Sequence, residues 1–254
     1  MKIVENSLDF LFNRRLERQF NVPNCSIIIG QKRAGKSTLS AYICQHFHKL
    51  GYKVLSNYPI ENALALPMIP TFDKKTKKVV YKLDKDFLYD ADLSHCVILI
   101  DEGANYWPAR GYATDWTSRD TEFFTMMSHH DIIMFINVQY FDLIDLNVKR
   151  ACDEIFFLTR SRYFKNLSSV AVSELVSLPV ANLSAKIMTK RSLGAYPVHY
   201  ELCEIPIGDF RFYRKPYYKY FSTEFDYKVY DSSLSVEDLE PWNMQPILYS
   251  ASAP

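Results

Sequence analysis

The run G-Q-K-R-A-G-K-S occupies residues 30–37 and has the residue types that a phosphate-binding loop requires. Gly30 and Gly35 allow the backbone to turn, so that successive N–H groups point towards an anion at the start of a helix. Lys36 can reach the outer phosphates of a nucleoside triphosphate, and Ser37 offers a hydroxyl to Mg²⁺. An apolar run precedes the motif and a helical pattern follows it. The sequence therefore predicts a P-loop that binds ATP together with Mg²⁺.

A second motif is the apolar run C-V-I-L-I at 96–100, which ends in the two acids Asp101 and Glu102. Asp101, at the end of a buried strand, can support the Mg²⁺ shell, so Ser37 and Asp101 form the predicted metal site. Glu102 can take a proton from an attacking water, which makes it the predicted catalytic carboxylate. Since many strands end in acids that only face solvent, this alternative stays open for each of the two.

Gln139 is a third candidate, because it directly follows the apolar strand I-I-M-F-I-N-V. In a parallel sheet this position lies at the carboxyl ends of the strands, where ligands bind. It can sense the γ-phosphate or orient the water, or else it is an ordinary loop glutamine. The predicted catalytic residues are Glu102, Lys36 and Gln139. The predicted nucleotide-binding segment comprises Gly30, Gln31, Lys32, Arg33, Ala34, Gly35, Lys36, Ser37 and Thr38.

A parallel sheet must bring these motifs together, and the order of apolar and helical segments predicts one. Strands are expected at 25–29, 52–56, 96–100, 132–138 and 154–158, and helices at 8–20, 38–50 and 121–130. Residues 57–70 read as an irregular connection, and 72–83 as a charged surface hairpin. The predicted fold is α/β, a P-loop NTPase with a mainly parallel doubly wound sheet of the additional-strand type. A C-terminal β-rich extension completes it.

Four parts of the chain differ in pattern. We expect a helical lead-in at 1–22, a P-loop ATPase core at 23–160, a β-rich extension of the same domain at 161–235 and a loose tail at 236–254. The extension includes F-R-F-Y-R-K-P-Y-Y-K-Y at 210–220, which interleaves bases and aromatics as single-strand binders do. The alternative is an exposed strand face on which Tyr and Lys alternate.

The composition is that of an ordinary globular domain, with 48% hydrophobic and 23% charged residues in a chain of 254. The net charge of +1 gives no overall attraction to polyanions, so a nucleic-acid contact requires a local patch. The five cysteines form no C-x-x-C pair, which argues against a disulfide framework and against a zinc site. No stretch approaches about 18 consecutive apolar residues, so no transmembrane helix is expected.

The run L-I-D-E-G-A-N-Y-W-P-A-R at 99–110 resembles the acidic strand of the zonular occludens toxin (Zot)-like family, which typically reads I-D-E-A and then aromatic-Pro-x-Arg. Residues 126–145 are similar to that family's R-H-x-x-x-D-I-x-x-x-T-Q strand, and 153–160 to the strand after it. Y-K-V-Y-D-S-S at 227–233 is similar to the Y-D-T element that closes many members. The resemblance covers roughly residues 23–235.

The resemblance implies an FtsK/HerA-type ATPase that drives the assembly and extrusion of filamentous single-stranded DNA phages. It implies a homo-oligomer whose partners are single-stranded DNA or phage coat and assembly proteins. The expected location is the host cytoplasm, or a peripheral position at the inner face of the host membrane. Members usually carry a transmembrane helix after the ATPase domain, and since no such helix is expected here, membrane attachment would come only through a partner. The family's arginine of the R-H pair is His129 in this chain, so no arginine finger is carried over to that position.

A motor of this type completes each site with an arginine from a neighbouring subunit, and the candidates are Arg110, Arg119 and Arg150. Each of them is alternatively an ordinary surface arginine. Other functions also stay open: a DNA-packaging or conjugation-type ATPase, a small-molecule kinase and a nucleotide-gated interaction protein. A kinase would need an acceptor and could act as a monomer, whereas a motor needs subunit contacts.

Overall fold

A computed structural model describes residues 2–20, 24–73, 77–109, 116–179, 200–230 and 234–244. The α-helices are α1 Lys2–Glu17, α2 Lys36–Lys49, α3 Lys85–Asp90, α4 Ser118–Met126 and α5 Leu146–Ala151. The first five strands are β1 Cys25–Gly30, β2 Lys53–Ser56, β3 Ala63–Ala65, β4 Met68–Asp73 and β5 Lys78–Leu83. The others are β6 Cys96–Ile100, β7 Ile133–Val138, β8 Glu154–Arg160, β9 Leu167–Pro179 and β10 Tyr200–Tyr213. Short 3₁₀-helices include Gly103–Asn105, Met127–His130, Phe141–Leu143, Lys215–Tyr220 and Val236–Asp238.

In the described part of the chain, eight strands form one sheet in the order β10-β9-β8-β1-β7-β6-β2-β3. Strand β1 pairs in parallel with both β7 and β8, and β6 pairs in parallel with β7 and β2. One strand, β7, therefore separates the strand that leads into the P-loop from the strand that ends in Asp101, which is the additional-strand arrangement. Antiparallel β9 and β10 extend the sheet beyond β8. The predicted fold class is confirmed.

The central strands are buried along their whole length, because hydrophobic layers cover both faces of the sheet. On one face, Leu39, Ile43 and Phe47 of α2 pack with side chains such as Phe135 and Phe156. The other face carries a second core that includes α4 and residues of the same strands pointing the opposite way. The alternation of side chains along each strand thus supplies both cores, and the sheet is held as a rigid base for the loops at its carboxyl edge.

Of three expectations about the segments outside the parallel strands, the structure confirms one and corrects two. The charged hairpin is confirmed as the antiparallel pair β4–β5. The connection at 57–70 is not wholly irregular, because β3 lies within it and pairs with β2. The expected loose tail begins with an ordered segment, in which Trp242 is buried and its Nε1 donates to the carbonyl oxygen of Ser56 at 3.2 Å. Residues 245–254 lie outside the described residues. The first part of this segment packs because single apolar side chains, such as Leu239 and Trp242, reach the core.

Across the described ranges, no helix has both the length and the apolar character needed to cross a membrane.

Candidate nucleotide-binding site

The predicted P-loop connects β1 to α2, at the carboxyl edge of the sheet. Gly35 adopts a φ of +108°, a conformation that L side chains rarely adopt, and it is the N-cap of α2. Gly30 has a different role from the turn expected for it: a Cβ there would lie 2.8 Å from the carbonyl oxygen of Leu158 on β8. Within the loop, Arg33 supplies the left-handed turn with a φ of 66°. Gly30 is thus required by close strand packing and Gly35 by backbone conformation.

Lys36 lies at the first position of α2, and its Nζ donates to the carbonyl oxygen of Gly30 at 2.6 Å. The side chain therefore curves back over its own loop. Burial lowers the pKa of Lys36, and the charges of Asp101 and Glu102 act in the opposite direction. A partly buried cation facing two carboxylates is suited to receive a polyanion, because phosphate oxygens can replace the carbonyl as acceptor.

Asp101 is held between two asparagine side chains. Asn137 on β7 donates from Nδ2 to Oδ1 of Asp101 at 3.2 Å. Asn57, just after β2, accepts from the Asp101 N–H at 2.7 Å and donates to the Asp101 carbonyl at 3.0 Å. Asn137 also bonds Ser40 of α2, with 3.0 Å between Nδ2 and Oγ. This network ties the acidic strand end to the helix that follows the P-loop.

No sequence motif assigns Asn57, Asn137 or Ser40 to the site. Asn137 had a signal, since it is a polar residue inside an otherwise apolar strand and is fully buried. Asn57 lay in the stretch interpreted as an irregular connection, and Ser40 on the buried face of a helix. Their joint role depends on β2, β6 and β7 being neighbours, which local pattern does not reveal.

Burial raises the pKa of Asp101, whereas the bonds from Asn137 and the Glu102 N–H, together with the charge of Lys36, act to lower it. The folded state therefore holds the Asp101 proton more tightly than the unfolded chain does. Stability falls as the pH rises from the unfolded pKa through the higher folded one. An ionised Asp101 carboxylate is consequently a cost to the nucleotide-free fold, which a bound cation would offset.

Asp101→Asn is therefore expected to raise the thermal unfolding midpoint of the nucleotide-free protein at pH 7 by about 2–4 °C, equivalent to ~1 kcal/mol in a domain of this size. The gain should shrink as the pH falls below the folded pKa, because the wild-type carboxyl is then neutral as well. Calorimetric unfolding across pH measures this. A variant less stable than wild type at pH 7 would show that the carboxylate stabilises the free protein.

Glu102 follows Asp101 with a φ of 51°, an uncommon left-handed conformation for a non-glycine residue. Its backbone N–H donates to Oδ1 of Asp101 at 3.1 Å, and its Oε2 accepts from Nδ2 of Asn105 at 3.2 Å. The side chain is exposed. The sharp turn after β6 thus directs one carboxylate inward, towards the P-loop helix, and leaves the other accessible to water. A carboxylate that water can reach is able to act as a general base.

Ser37, Asp101 and Glu102 line one cleft of about 290 Å³, next to Tyr106 and the stretch 221–227. Hydroxyl and carboxylate oxygens are the ligands that Mg²⁺ prefers, with phosphate and water oxygens completing its shell. Among the described residues no group of three His, Cys, Asp or Glu could hold a metal without such help. Ser37 and Asp101 therefore fit a magnesium ion that arrives with a triphosphate.

Gln139 and the candidate arginines that the structure describes do not line this cleft. Gln139 follows β7 at the carboxyl edge and is half-buried. Arg119 is paired within the chain, since Nη1 donates to Asp86 at 2.7 Å and Nη2 to Asp90. Arg150 is exposed in the last turn of α5. Arg110 lies outside the described residues.

Several side chains of the basic and aromatic stretch 210–220 point into the protein. Phe212, Tyr213, Arg214 and Tyr217 are all buried. Tyr217 packs against Tyr42 of α2, with ring centroids 4.7 Å apart. The inward-facing rings of this stretch therefore serve packing, which includes packing on α2, while the side chains of Arg211, Lys215 and Lys219 are exposed.

No model of a known protein family matches the chain, and no curated protein matches it. Among solved structures, the N-terminal domain of zonular occludens toxin from Neisseria meningitidis is similar, with 15% identity and a TM-score of 0.48 over 78% of this chain and 98% of that one. The genome-packaging NTPase of Sulfolobus turreted icosahedral virus 2 in complex with ATPγS has 14% identity and a TM-score of 0.41 over 59% and 91%. The flagellar accessory protein FlaH from Methanocaldococcus jannaschii has 12% identity and a TM-score of 0.40 over 59% and 77%.

These similar structures include a member of the family that residues 99–110 resemble. At these identities and TM-scores the likeness carries no conclusion about this chain. The order of the strands and the P-loop between β1 and α2 establish the fold from this chain itself. The chain has the α/β fold of a P-loop NTPase, with an additional strand between its P-loop strand and its acidic strand.

Proposed function

We propose that the chain is an ATP-hydrolysing morphogenesis motor of the Zot-like kind, which drives the assembly or extrusion of a filamentous single-stranded DNA phage. The observation that carries the hydrolase part is the meeting of Ser37, Asp101 and Glu102 in one cleft beside the P-loop. The motor part rests on the resemblance at 99–110 and on the surface described below. The proposed state is a homo-oligomer in the host cytoplasm that reaches the inner face of the membrane through a partner.

In the proposed reaction, water attacks the γ-phosphorus of ATP, the bond to the β–γ bridging oxygen breaks, and ADP and phosphate leave. The P-loop N–H groups and Lys36 hold the β- and γ-phosphates. Ser37 and Asp101 would hold Mg²⁺, which neutralises charge on these phosphates when bound. Glu102 takes the proton from the water, and Gln139 orients that water or senses the γ-phosphate.

A nucleic-acid partner is supported by a basic–aromatic surface, which we define as Arg160, Arg162, Tyr163, Phe164 and Arg211. These side chains line a cleft of about 410 Å³ around the turn between β8 and β9. Tyr163 is 90% exposed and Phe164 is 63% exposed, an arrangement that leaves both rings open to stacking. Arginines beside open aromatic rings match the backbone charge and the base faces of single strands. Within the described residues, no salt bridge neutralises these arginines.

ATP hydrolysis measured with and without single-stranded DNA, over a range of protein concentrations, tests the proposal. We expect stimulation by DNA and a steep dependence on protein concentration, because neighbouring subunits complete each site. Replacing both Tyr163 and Phe164 by Ala should weaken DNA binding by about 10-fold or more and remove stimulation, with the basal rate unchanged. Phe72→Ala, which removes a ring that is 61% exposed on β4, is the matched control.

Three other results would contradict the proposal, and each would favour a different function. Turnover only with an added small acceptor would indicate a kinase. ATP binding with negligible turnover would indicate a nucleotide-gated interaction protein. Stimulation by double-stranded but not single-stranded DNA would favour a packaging or conjugation-type ATPase.

A further inference from the structure

Residues at the start of β9 and directly after β10 contact the P-loop through side-chain hydrogen bonds. Ser168, at the start of β9, donates from Oγ to the carbonyl oxygen of Ala34 at 2.6 Å. Arg214, directly after β10, donates from Nη1 to the carbonyl oxygen of Arg33 at 3.4 Å. Two consecutive peptide groups of the loop are therefore bonded by side chains that lie more than a hundred positions further along the chain.

These side chains also leave no free space behind the loop. A Cβ at Gly35 would lie 2.6 Å from Cδ of Arg214 and 3.3 Å from Oγ of Ser168. Ser168 is fully buried and Arg214 is 5% exposed. The tip of the P-loop thus contacts the β-rich extension directly, so a change in either side chain would alter the position of the loop backbone.

The direction of these bonds has a consequence for anion binding. A trans peptide is planar, so its N–H points opposite to its C=O. When Ser168 holds the Ala34 carbonyl on the extension side, the N–H of Gly35 faces the other way. That is the side on which a P-loop binds phosphate at a helix N-terminus. The Ala34 N–H itself donates to the Gln31 carbonyl at 3.1 Å, which closes the turn.

Arg214 does not behave as half of an ordinary structural ion pair. Its Nη2 donates to the carbonyl oxygen of Lys165 and its buried Nε has no partner. Among the described residues no carboxylate pairs with it. Burial lowers the pKa of Arg214, Tyr218 acts in the opposite direction, and the like charge of Arg160 adds to the effect of burial. The guanidinium also lies over the Tyr218 ring, with Cζ 5.9 Å from the ring centroid. A buried cation held by carbonyls and a ring, without a carboxylate, is costly, and a bound polyanion next to it would offset that cost.

We propose that Ser168 and Arg214 are positioning residues of the nucleotide site, which hold the P-loop in its anion-binding conformation without touching the nucleotide. The inference rests on the proposed function, since it concerns the same site. By this proposal, the β-rich extension takes part in forming the ATP site, which the loop motif alone does not indicate.

Ser168→Ala removes one hydroxyl and little volume, so it is the primary test. We expect the Kd and KM for ATP to rise by about 10-fold, because a buried carbonyl loses its donor and the Gly35 N–H loses its orientation. The kcat should change much less, since these N–H groups bind phosphate in the ground state and the transition state alike. Calorimetry with ATP and steady-state kinetics measure the two effects.

Arg214→Ala should raise the Kd at least as much, and Arg214→Lys should recover part of the affinity because it keeps the charge and a donor. Matched controls are Ser169→Ala, one residue further along β9, and Lys219→Ala, which removes an exposed cation from the 3₁₀-helix that follows Arg214. We expect both controls to bind ATP as wild type does.

If Ser168→Ala lowers the unfolding midpoint but leaves Kd and KM unchanged, the side chain is only structural and the inference is wrong. Wild-type binding that is unaffected by Arg214→Ala would overturn it in the same way. If the wild-type protein binds no ATP, the proposed function fails and this inference fails with it. These results are distinguishable because the wild-type titration is made first.

Discussion

Lys36→Ala is expected to weaken ATP binding by at least about 100-fold, the loss that follows when one partner of a close charge pair is removed. Lys36 is the motif's cation, and its Nζ already lies over the loop, 2.6 Å from the Gly30 carbonyl oxygen. Without it, there is less positive charge to offset the repulsion between the β- and γ-phosphates and the carboxylates of Asp101 and Glu102. Isothermal titration calorimetry with ATP and Mg²⁺ measures the loss directly.

The matched control is Lys32→Ala, which removes an exposed lysine from the same loop. Since both variants lose one positive charge, a general electrostatic effect would weaken them equally. We expect the Lys32 variant to retain most of its affinity. Unchanged affinity in the Lys36 variant would contradict the P-loop assignment as a whole.

Glu102→Gln is expected to bind ATP about as well as wild type while hydrolysis falls by roughly 10²–10⁴, the usual contribution of a positioned general base. The amide has the shape of the carboxylate and can still accept from Asn105, but it cannot take a proton from water. Single-turnover kinetics and titration calorimetry, made on the same sample, separate the two effects. Asp142→Asn, in the 3₁₀-helix after β7, is a control for loss of a carboxylate near the same edge of the sheet.

Mixing Glu102→Gln with wild-type protein extends this test to the oligomer. If a neighbour's residue completes each site, the mutant should depress activity by more than its fraction in the mixture. A linear loss would mean independent sites, as in a kinase or a nucleotide-gated protein. Full activity of the pure mutant would place the catalytic carboxylate elsewhere in the chain.

The asparagine side chains around Asp101 are a part of the site that could not be predicted from the sequence. The acids at 101 and 102 were recognisable because they end an apolar run. Asn137 on β7 and Asn57 just after β2 contact Asp101, and their role exists only because β2 and β7 both flank β6. Gln139 was placed correctly at the carboxyl edge, yet its part in the reaction stays a prediction.

The P-loop, the buried central strands and the acidic strand end could all be predicted from local sequence. Each of these depends on residues that are close in the chain: glycines where the backbone turns or packs, apolar runs that must be buried, and a lysine and serine that begin a helix. Local sequence does not show which strands are neighbours, how Asp101 is held or what lies behind the P-loop, because these depend on the folded sheet. Ser168 and Arg214 reach residues 34 and 33 from far along the chain. Such contacts are set by the packing of the whole sheet, because no local pattern records which distant segment a folded chain brings alongside.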